Sequence, residues 1–450
     1  MTILGLDIGT TGMKIGVFRA KNGSLEIAGQ FSRDYEVSIY NDGLFGDIGQ
    51  DKWQEAFADG CRELRDFMPE VDIIALSGTT PGLTAMDSEG NALYPAILML
   101  DQRSRVQAQH IIKTAGLSKL LDETGNMPVA GGCSLASILW IKDNHPDIFR
   151  KTQTFGHSNT FMAKWLTGKA VIDPSSASLM ALYNTVRNDL TWNKDIAGMF
   201  GLSTGQLPDI IPSHESAGQV KSTLASEFGL TKKPQVIIGG NDAVLAAYSV
   251  GIKEPGDIIN VNGTCEITLV CLPRCLSSRN YNVRAHVIPD RWLTLYVMNA
   301  GGKAYEWYKS LFCCDMDDDS FYHDFLPGAV DRWIDRESTV TYIPYLMGSR
   351  YSQEPLKAQF LGLTRETTRE EILAAMVRGL CNYQREHLKE IGSEIQLNET
   401  ICVTGGAANQ SIIRAKKKWM RDGEYMYEDQ SSMKGAAMLG LKYLEEKESP

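Results

Sequence analysis

Asp7 ends an apolar run and is followed by Gly9-Thr10-Thr11-Gly12 and then Lys14. Glycines at this spacing let the backbone turn tightly, so that successive N–H groups converge on phosphate oxygens. Thr10 and Thr11 add hydroxyl donors and Lys14 adds a cation. Asp7, beside the turn, is suited to hold a Mg²⁺ ion that bridges phosphates. For the tetrapeptide by itself, a plain β-hairpin with a glycine turn is the alternative. A second constellation, Gly239-Gly240-Asn241-Asp242, puts a carboxylate at a strand-to-helix junction. An Asp there either caps the helix or, where a cleft lies, accepts the proton of a substrate hydroxyl during phosphoryl transfer. Gly405-Gly406-Ala407-Ala408-Asn409 lets a flat ring approach the backbone and offers it an amide, unless it is a simple strand-to-helix turn. Asp101-Gln102-Arg103 mixes donors and acceptors, as a polyhydroxylated ligand requires, or forms a salt-bridged surface turn. No GxxxxGK[ST] occurs, nor a GxGxxG opening a helix after a strand, which sets aside P-loop and Rossmann sites.

The elements that must position these groups alternate in type. Ile3–Ile8 and Lys14–Phe18 read as strands around the first glycine turn, and Trp53, Phe57, Cys61, Leu64 and Met68 recur at helical spacing. Val71–Ser77 is a buried strand. Gln235–Ile238 is a strand that runs into Gly239-Gly240, and Ala243–Val250 is helical. Ile258–Val261 and Glu266–Cys271 are strands flanking Asn262-Gly263-Thr264, an echo of the Gly9-Thr10 device that points to two halves of similar design. A long amphipathic helix is expected from about 369 to 391, then a strand at Thr400–Thr404. The class is α/β, with a boundary at roughly 240–250.

Composition bounds the function. With 45 basic and 55 acidic residues the net charge is -10, which argues against non-specific binding to nucleic acid or to an anionic membrane. Lys416-Lys417-Lys418 reads as a solvated helix face. No apolar stretch reaches the ~20 residues needed to span a bilayer, and no targeting segment is visible. The nine cysteines form no CxxC and do not group with histidine, so a zinc site is not expected and reduced, cytoplasmic thiols are.

In order and spacing these pieces resemble the FGGY family of carbohydrate kinases, within the actin/sugar-kinase/Hsp70 fold. The resemblance rests on Leu6-Asp-Ile-Gly-Thr-Thr-Gly-Met-Lys14, Leu76-Ser77-Gly78 with Gly82, Asp101-Gln-Arg103, Gly239-Gly-Asn-Asp242 and Asn262-Gly-Thr264. It continues through Tyr342-Ile-Pro-Tyr-Leu-Met-Gly348, Phe360-Leu-Gly-Leu-Thr364, Thr404-Gly-Gly406 and Lys434-Gly-Ala-Ala437, and so spans nearly the whole chain. It implies two domains of duplicated ribonuclease-H-like (actin-like ATPase) topology with a catalytic cleft between them. The N-terminal domain, 1–243, would bind sugar and the C-terminal domain, 244–450, ATP. The implied cofactors are ATP and Mg²⁺, and the implied partner is a small sugar or polyol; a homodimer is compatible with it.

Carried over by residue, the resemblance makes Asp7 the Mg²⁺-associated acid and Gly9, Thr10, Thr11 and Lys14 the first phosphate loop. Gly263 and Thr264 become the second loop, Gly405, Gly406 and Asn409 the adenosine site, and Asp242 the catalytic base. Thr79, Thr80, Asp101, Gln102, Arg103 and Asp242 become sugar contacts. The implied function is ATP-dependent phosphorylation of a hydroxyl, with a ketopentose-type substrate favoured. A non-catalytic ATP-binding sugar sensor or chaperone-like protein of the same fold is the alternative, disfavoured by the presence of Asp242. Departures bear on the substrate. Xylulokinase-like members read SGQMHG where this chain has Ser77-Gly-Thr-Thr-Pro-Gly82, so Pro81 stands in place of a ketose-touching histidine and has no N–H to donate. Met99-Leu100 replaces an aromatic and polar pair. Both swaps imply a more apolar or differently shaped pocket. The segment from Trp419 to Gln430 departs as well.

Overall fold

The computed structural model describes residues 1–21, 24–352, 356–406 and 409–448. The chain divides into two compact units. One comprises Met1–Gly251, Arg274–Leu293 and Gln430–Pro450, the other Ile252–Pro273 and Thr294–Asp429. The grouping of contacts is therefore discontinuous, whereas the expected division at 243/244 is a single cut.

The first unit is built on a six-stranded sheet. Thr2–Ile8, Gly12–Lys21 and Ser24–Asp34 form an antiparallel meander; Val71–Gly78 pairs parallel with Thr2–Ile8, and Gln235–Asn241 parallel with Val71–Gly78. Ser216–Gln219 closes the edge. Thr2–Ile8 and Val71–Gly78 are buried almost throughout, as central strands covered on both faces must be. Helix Asp51–Glu63 packs against the meander, and helix Ser432–Glu448 returns from the far end of the chain to cover the parallel strands. Ala436, Ala437 and Leu439 of that returning helix are buried. The helical spacing of Trp53 to Met68 holds only as far as Glu63; Leu64 and Met68 lie beyond the helix yet stay in the same core. A second core lies behind a five-stranded antiparallel sheet with the order Ser38–Tyr40, Phe45–Ile48, Ala92–Leu98, Gly82–Met86, Thr154–Gly156.

The second unit repeats the topology. Ile258–Asn262 pairs antiparallel with Glu266–Leu272 and parallel with Thr400–Thr404, which pairs parallel with Glu424–Tyr427. The strand Trp292–Met298 flanks Glu266–Leu272. Two hairpin strands followed laterally by two parallel strands thus occur in both units: the two similar halves that the Gly-Thr echo pointed to, in the duplicated ribonuclease-H-like topology that the family resemblance implied. Helix Arg369–Gly392, capped by the Thr368 hydroxyl, covers the expected 369–391. Within Gln410–Trp419 the expected solvated lysine face is corrected. Lys416 is buried, with its ammonium bonded to the buried Glu266, and only Lys417 and Lys418 face water. Among the described residues no helix is long and apolar enough to cross a membrane.

Candidate active site

Three parallel strands of the first unit end side by side, and their carboxyl ends carry the chemistry, as in other open α/β sheets. Asp7 is in register with Ser77, which in turn is in register with Gly240. Between Ile237 and Gly240 the register shifts, and the cause is Gly239. Its φ is +64°, and a Cβ there would lie 1.6 Å from the Leu76 carbonyl oxygen. This bulge re-aims the chain so that Asn241 and Asp242 enter the helix Asp242–Ser249 from the sheet edge. Gly239→Ala should therefore cost at least about 1–3 kcal/mol from backbone strain alone. Thermal unfolding will show a lower midpoint, and unchanged stability would mean that the bulge tolerates a side chain.

The helix cap is Asn241, whose Oδ1 accepts the Val244 N–H at 3.2 Å. Asp242 is thus released from capping. Its Oδ1 accepts the Ala243 N–H and the Asn241 Nδ2, each at 2.7 Å, while its Oδ2 has no partner among the described residues. The carboxyl is half-buried, and its pKa is pushed up to about 6 by burial and by the charge of Asp7; Arg284 and the two hydrogen bonds oppose the rise. The same Asn241 Nδ2 donates to Thr80 Oγ1 at 2.7 Å.

The glycine turn lies beside these groups. Gly9 N–H donates to the Gly12 carbonyl at 2.9 Å, and the Tyr35 hydroxyl reaches both the Gly9 and the Gly12 carbonyls, at 2.5 and 3.0 Å. With those carbonyls occupied, the N–H groups of Thr10 and Thr11 have no acceptor among the described residues. Thr10 Oγ1 lies 3.2 Å from Thr79 Oγ1, and the Thr79 N–H donates to the Ile8 carbonyl. Lys14 is exposed and directly across the ladder from Asp7. Burial raises the pKa of Asp7, against the opposing pull of Ser432, Lys14 and Ser77. A lone half-buried carboxylate of this kind fits Mg²⁺, which keeps most of its waters and takes one or two carboxylates with the phosphates. Among the described residues there is no cluster of three or more metal-ligating side chains.

The sugar-side residues fall into two groups. Thr79 and Thr80 border the Asp242 cluster through the bonds above, with Met99 Sδ 4.0 Å from Thr79 Oγ1. Asp101 and Arg103 lie in the interior instead. Asp101 accepts from Gly46 N–H at 2.7 Å and from Arg103 Nε at 2.7 Å; Arg103 also donates to Asp47 at 2.8 Å and to the Tyr94 hydroxyl at 3.1 Å. Phe45 and Trp140 stack against the guanidinium, at 4.3 and 5.0 Å from their ring centres. Gln102 is half-buried, and its side-chain oxygen accepts from Arg105.

In the second unit the Gly263 and Thr264 carbonyls accept from Gly302 and Gly301 N–H, at 2.8 and 2.9 Å, which fixes the turn to the start of helix Gly302–Phe312. The exposed Thr264 has its own N–H free of acceptors among the described residues. Gly405, with φ +96°, would place a Cβ 2.3 Å from the Asn262 carbonyl, and Gly406 has open space around it. Asn409 Oδ1 caps helix Gln410–Trp419, and its amide nitrogen has no acceptor among the described residues; Ala407 and Ala408 lie outside them. An open glycine edge and a free amide fit an adenine ring. Tyr35 is not legible in the sequence as a site residue, because no motif marks it; its place beside the glycine turn follows from the pairing of Gly12 with Asp34.

Residues 2–249 match the N-terminal domain of the FGGY family of carbohydrate kinases. The xylulose kinase of Staphylococcus xylosus is 26% identical over 419 residues, which cover 92% of this chain and 84% of the relative. That of Lactococcus lactis is 25% identical over 425 residues, 92% of this chain and 81% of the relative. The crystal structure of xylulose kinase from Rhodospirillum rubrum superposes with a TM-score of 0.89 at 21% identity, over 98% of this chain and 89% of that one, and shares its actin-like fold. With the duplicated topology and the strand-end carboxylates already in place, a match over more than half its length shows that the chain belongs to the FGGY family of carbohydrate kinases, enzymes that phosphorylate sugars with ATP.

Proposed function

We propose that this kinase transfers the γ-phosphoryl group of ATP to a hydroxyl of a ketopentose-type sugar or related polyol, with Asp242 as general base. One observation carries the reading. Asp242 has one oxygen tied to the helix start and the other without a partner among the described residues, and burial pushes its pKa up to about 6. Such a group is ionised at neutral pH yet basic enough to take a proton as the attacking oxygen gains charge. The xylulose kinases among the relatives support the substrate class.

Around that base, half-buried Gln102 would offer an amide and half-buried Met99 an apolar face, while the buried Thr79, Thr80 and Pro81 shape the site from behind, Thr80 by holding the Asn241 amide. The Asp101–Arg103 pair acts on sugar affinity from behind, by fixing the segment that carries Met99 and Gln102. The N–H groups of Thr10 and Thr11, with Lys14, are donors for phosphate oxygens in the first unit, as the Thr264 N–H and hydroxyl are in the second, where Gly263 shapes the turn with its own N–H held by the Cys265 carbonyl. Gly405, Gly406 and Asn409 would accept the adenosine. Asp7 would hold Mg²⁺, which when bound neutralises charge on the phosphates. Preorganised donors of this kind act where charge develops in the transition state.

The test is ADP release from MgATP with ketopentoses, pentitols, tetritols, aldonates, glycerol and deoxyketoses, with Asp242→Asn as control. A response to a ketopentose that is lost in the control supports the reading, whereas a response confined to another class replaces the substrate. The pH profile is a second check. The base must be ionised, so kcat/KM should fall below pH 6 by about tenfold per unit, following the Asp242 value. A profile flat to pH 5 would remove Asp242 from the proton transfer.

A further inference from the structure

Two consecutive glycines precede Asn241 and Asp242, and glycine is the residue with the most backbone freedom to lose. A base carried on such a segment needs an external restraint. The structure supplies one at the peptide linking Gly240 to Asn241, both of whose polar groups are held by buried side chains. Its carbonyl accepts from Asn159 Nδ2 at 3.1 Å, and the same amide nitrogen reaches the Ile238 carbonyl at 3.2 Å. Its N–H donates to Ser175 Oγ at 2.9 Å.

Ser175 is not free to turn away. Its hydroxyl proton goes to Asp173 Oδ2, which also accepts the Ser175 and Ser176 N–H groups at 2.8 and 3.1 Å. The serine lone pair is therefore left facing Asn241, and a carboxylate behind the hydroxyl makes it a better acceptor. Asn159, Asp173 and Ser175 are each at most 1% exposed. Asn159 comes from helix Ser158–Thr167, Ser175 from the short helix Pro174–Ala177 and Asp173 from the cap just before it, all far from Asp242 in sequence.

We infer that Asp173, Ser175 and Asn159 are positioning residues for Asp242, clamping the Gly240–Asn241 peptide so that the carboxylate keeps its aim. The inference rests on the reading of Asp242 as the base. With the peptide plane fixed, the Asn241 side chain holds its bond to Asp242 Oδ1, one of the interactions that favour the ionised carboxylate.

The test uses the full chain with MgATP and the sugar that gives the largest response. Ser175→Ala should lower kcat on the order of a hundredfold, the effect of a misplaced catalytic group, with the KM for ATP nearly unchanged. The acid limb of kcat/KM should move above pH 6, because a loosened Asn241 no longer holds the carboxylate ionised. Ser175→Thr, which keeps the hydroxyl, should recover most of kcat. Asn159→Ala frees the carbonyl end and should give the same fall and the same shift. A folded Ser175→Ala enzyme with wild-type kcat and an unmoved acid limb overturns the inference; if that variant does not fold, Asn159→Ala decides by the same criterion. Loss of folding in both assigns these side chains to stability alone and overturns it too. Asp242→Asn in the same assay separates the two readings. Retained turnover there defeats the base itself, whereas an inactive Asp242→Asn beside a normal Ser175→Ala defeats only the clamp.

Discussion

Asp242→Asn is expected to lower kcat by about 10²–10⁴-fold, the usual worth of a positioned general base, while ATP binds with nearly unchanged affinity. The substitution preserves shape. An Asn Oδ1 still accepts the Ala243 N–H and the Asn241 amide, so the helix start should survive. What is lost is the unpartnered oxygen, which becomes an NH₂ that donates instead of taking a proton. The donors proposed for the nucleotide belong to other residues, Thr10, Thr11, Lys14, Thr264 and Asn409, so calorimetric titration with ATP should be near normal. Turnover within tenfold of wild type would show that another group, or water, removes the proton.

Arg103→Ala should act on stability before it acts on sugar affinity. The guanidinium is fully buried between the carboxylates of Asp101 and Asp47, whose side chains are 1% and 7% exposed. Removing one partner of a buried ion pair leaves uncompensated charge and costs about 3–5 kcal/mol, and here two carboxylates are left. Asp101 keeps the Gly46 N–H and Asp47 keeps the Tyr40 hydroxyl, but the stacking of Phe45 and Trp140 on the cation is lost as well. Denaturant unfolding measures the loss. A direct sugar contact predicts the reverse, a raised KM on a scaffold of unchanged stability, and that result would put Arg103 at the substrate.

The sequence by itself determined what is local. The strand–turn–strand around Gly9–Gly12, its echo at Gly263-Thr264, the helix from Arg369 and the strand-end placement of Asp7 and Asp242 follow from glycine conformation and hydrophobic period, which act over a few neighbouring residues. Order and spacing of the same motifs were enough to name the family. Pairings between distant segments were settled only in the tertiary structure. Whether Asn241 or Asp242 caps the helix depends on the bulge that Gly239 makes against Leu76. Lys416 turns inward because Glu266, 150 residues earlier, waits on a neighbouring strand. Asp101 and Arg103 look like a polar surface turn until Asp47 and the aromatic rings enclose them. The helix Ser432–Glu448 joins the first unit because its small buried face fits the parallel strands there. Burial and long-range hydrogen bonds depend on the whole chain's packing, and no window of neighbouring residues contains them.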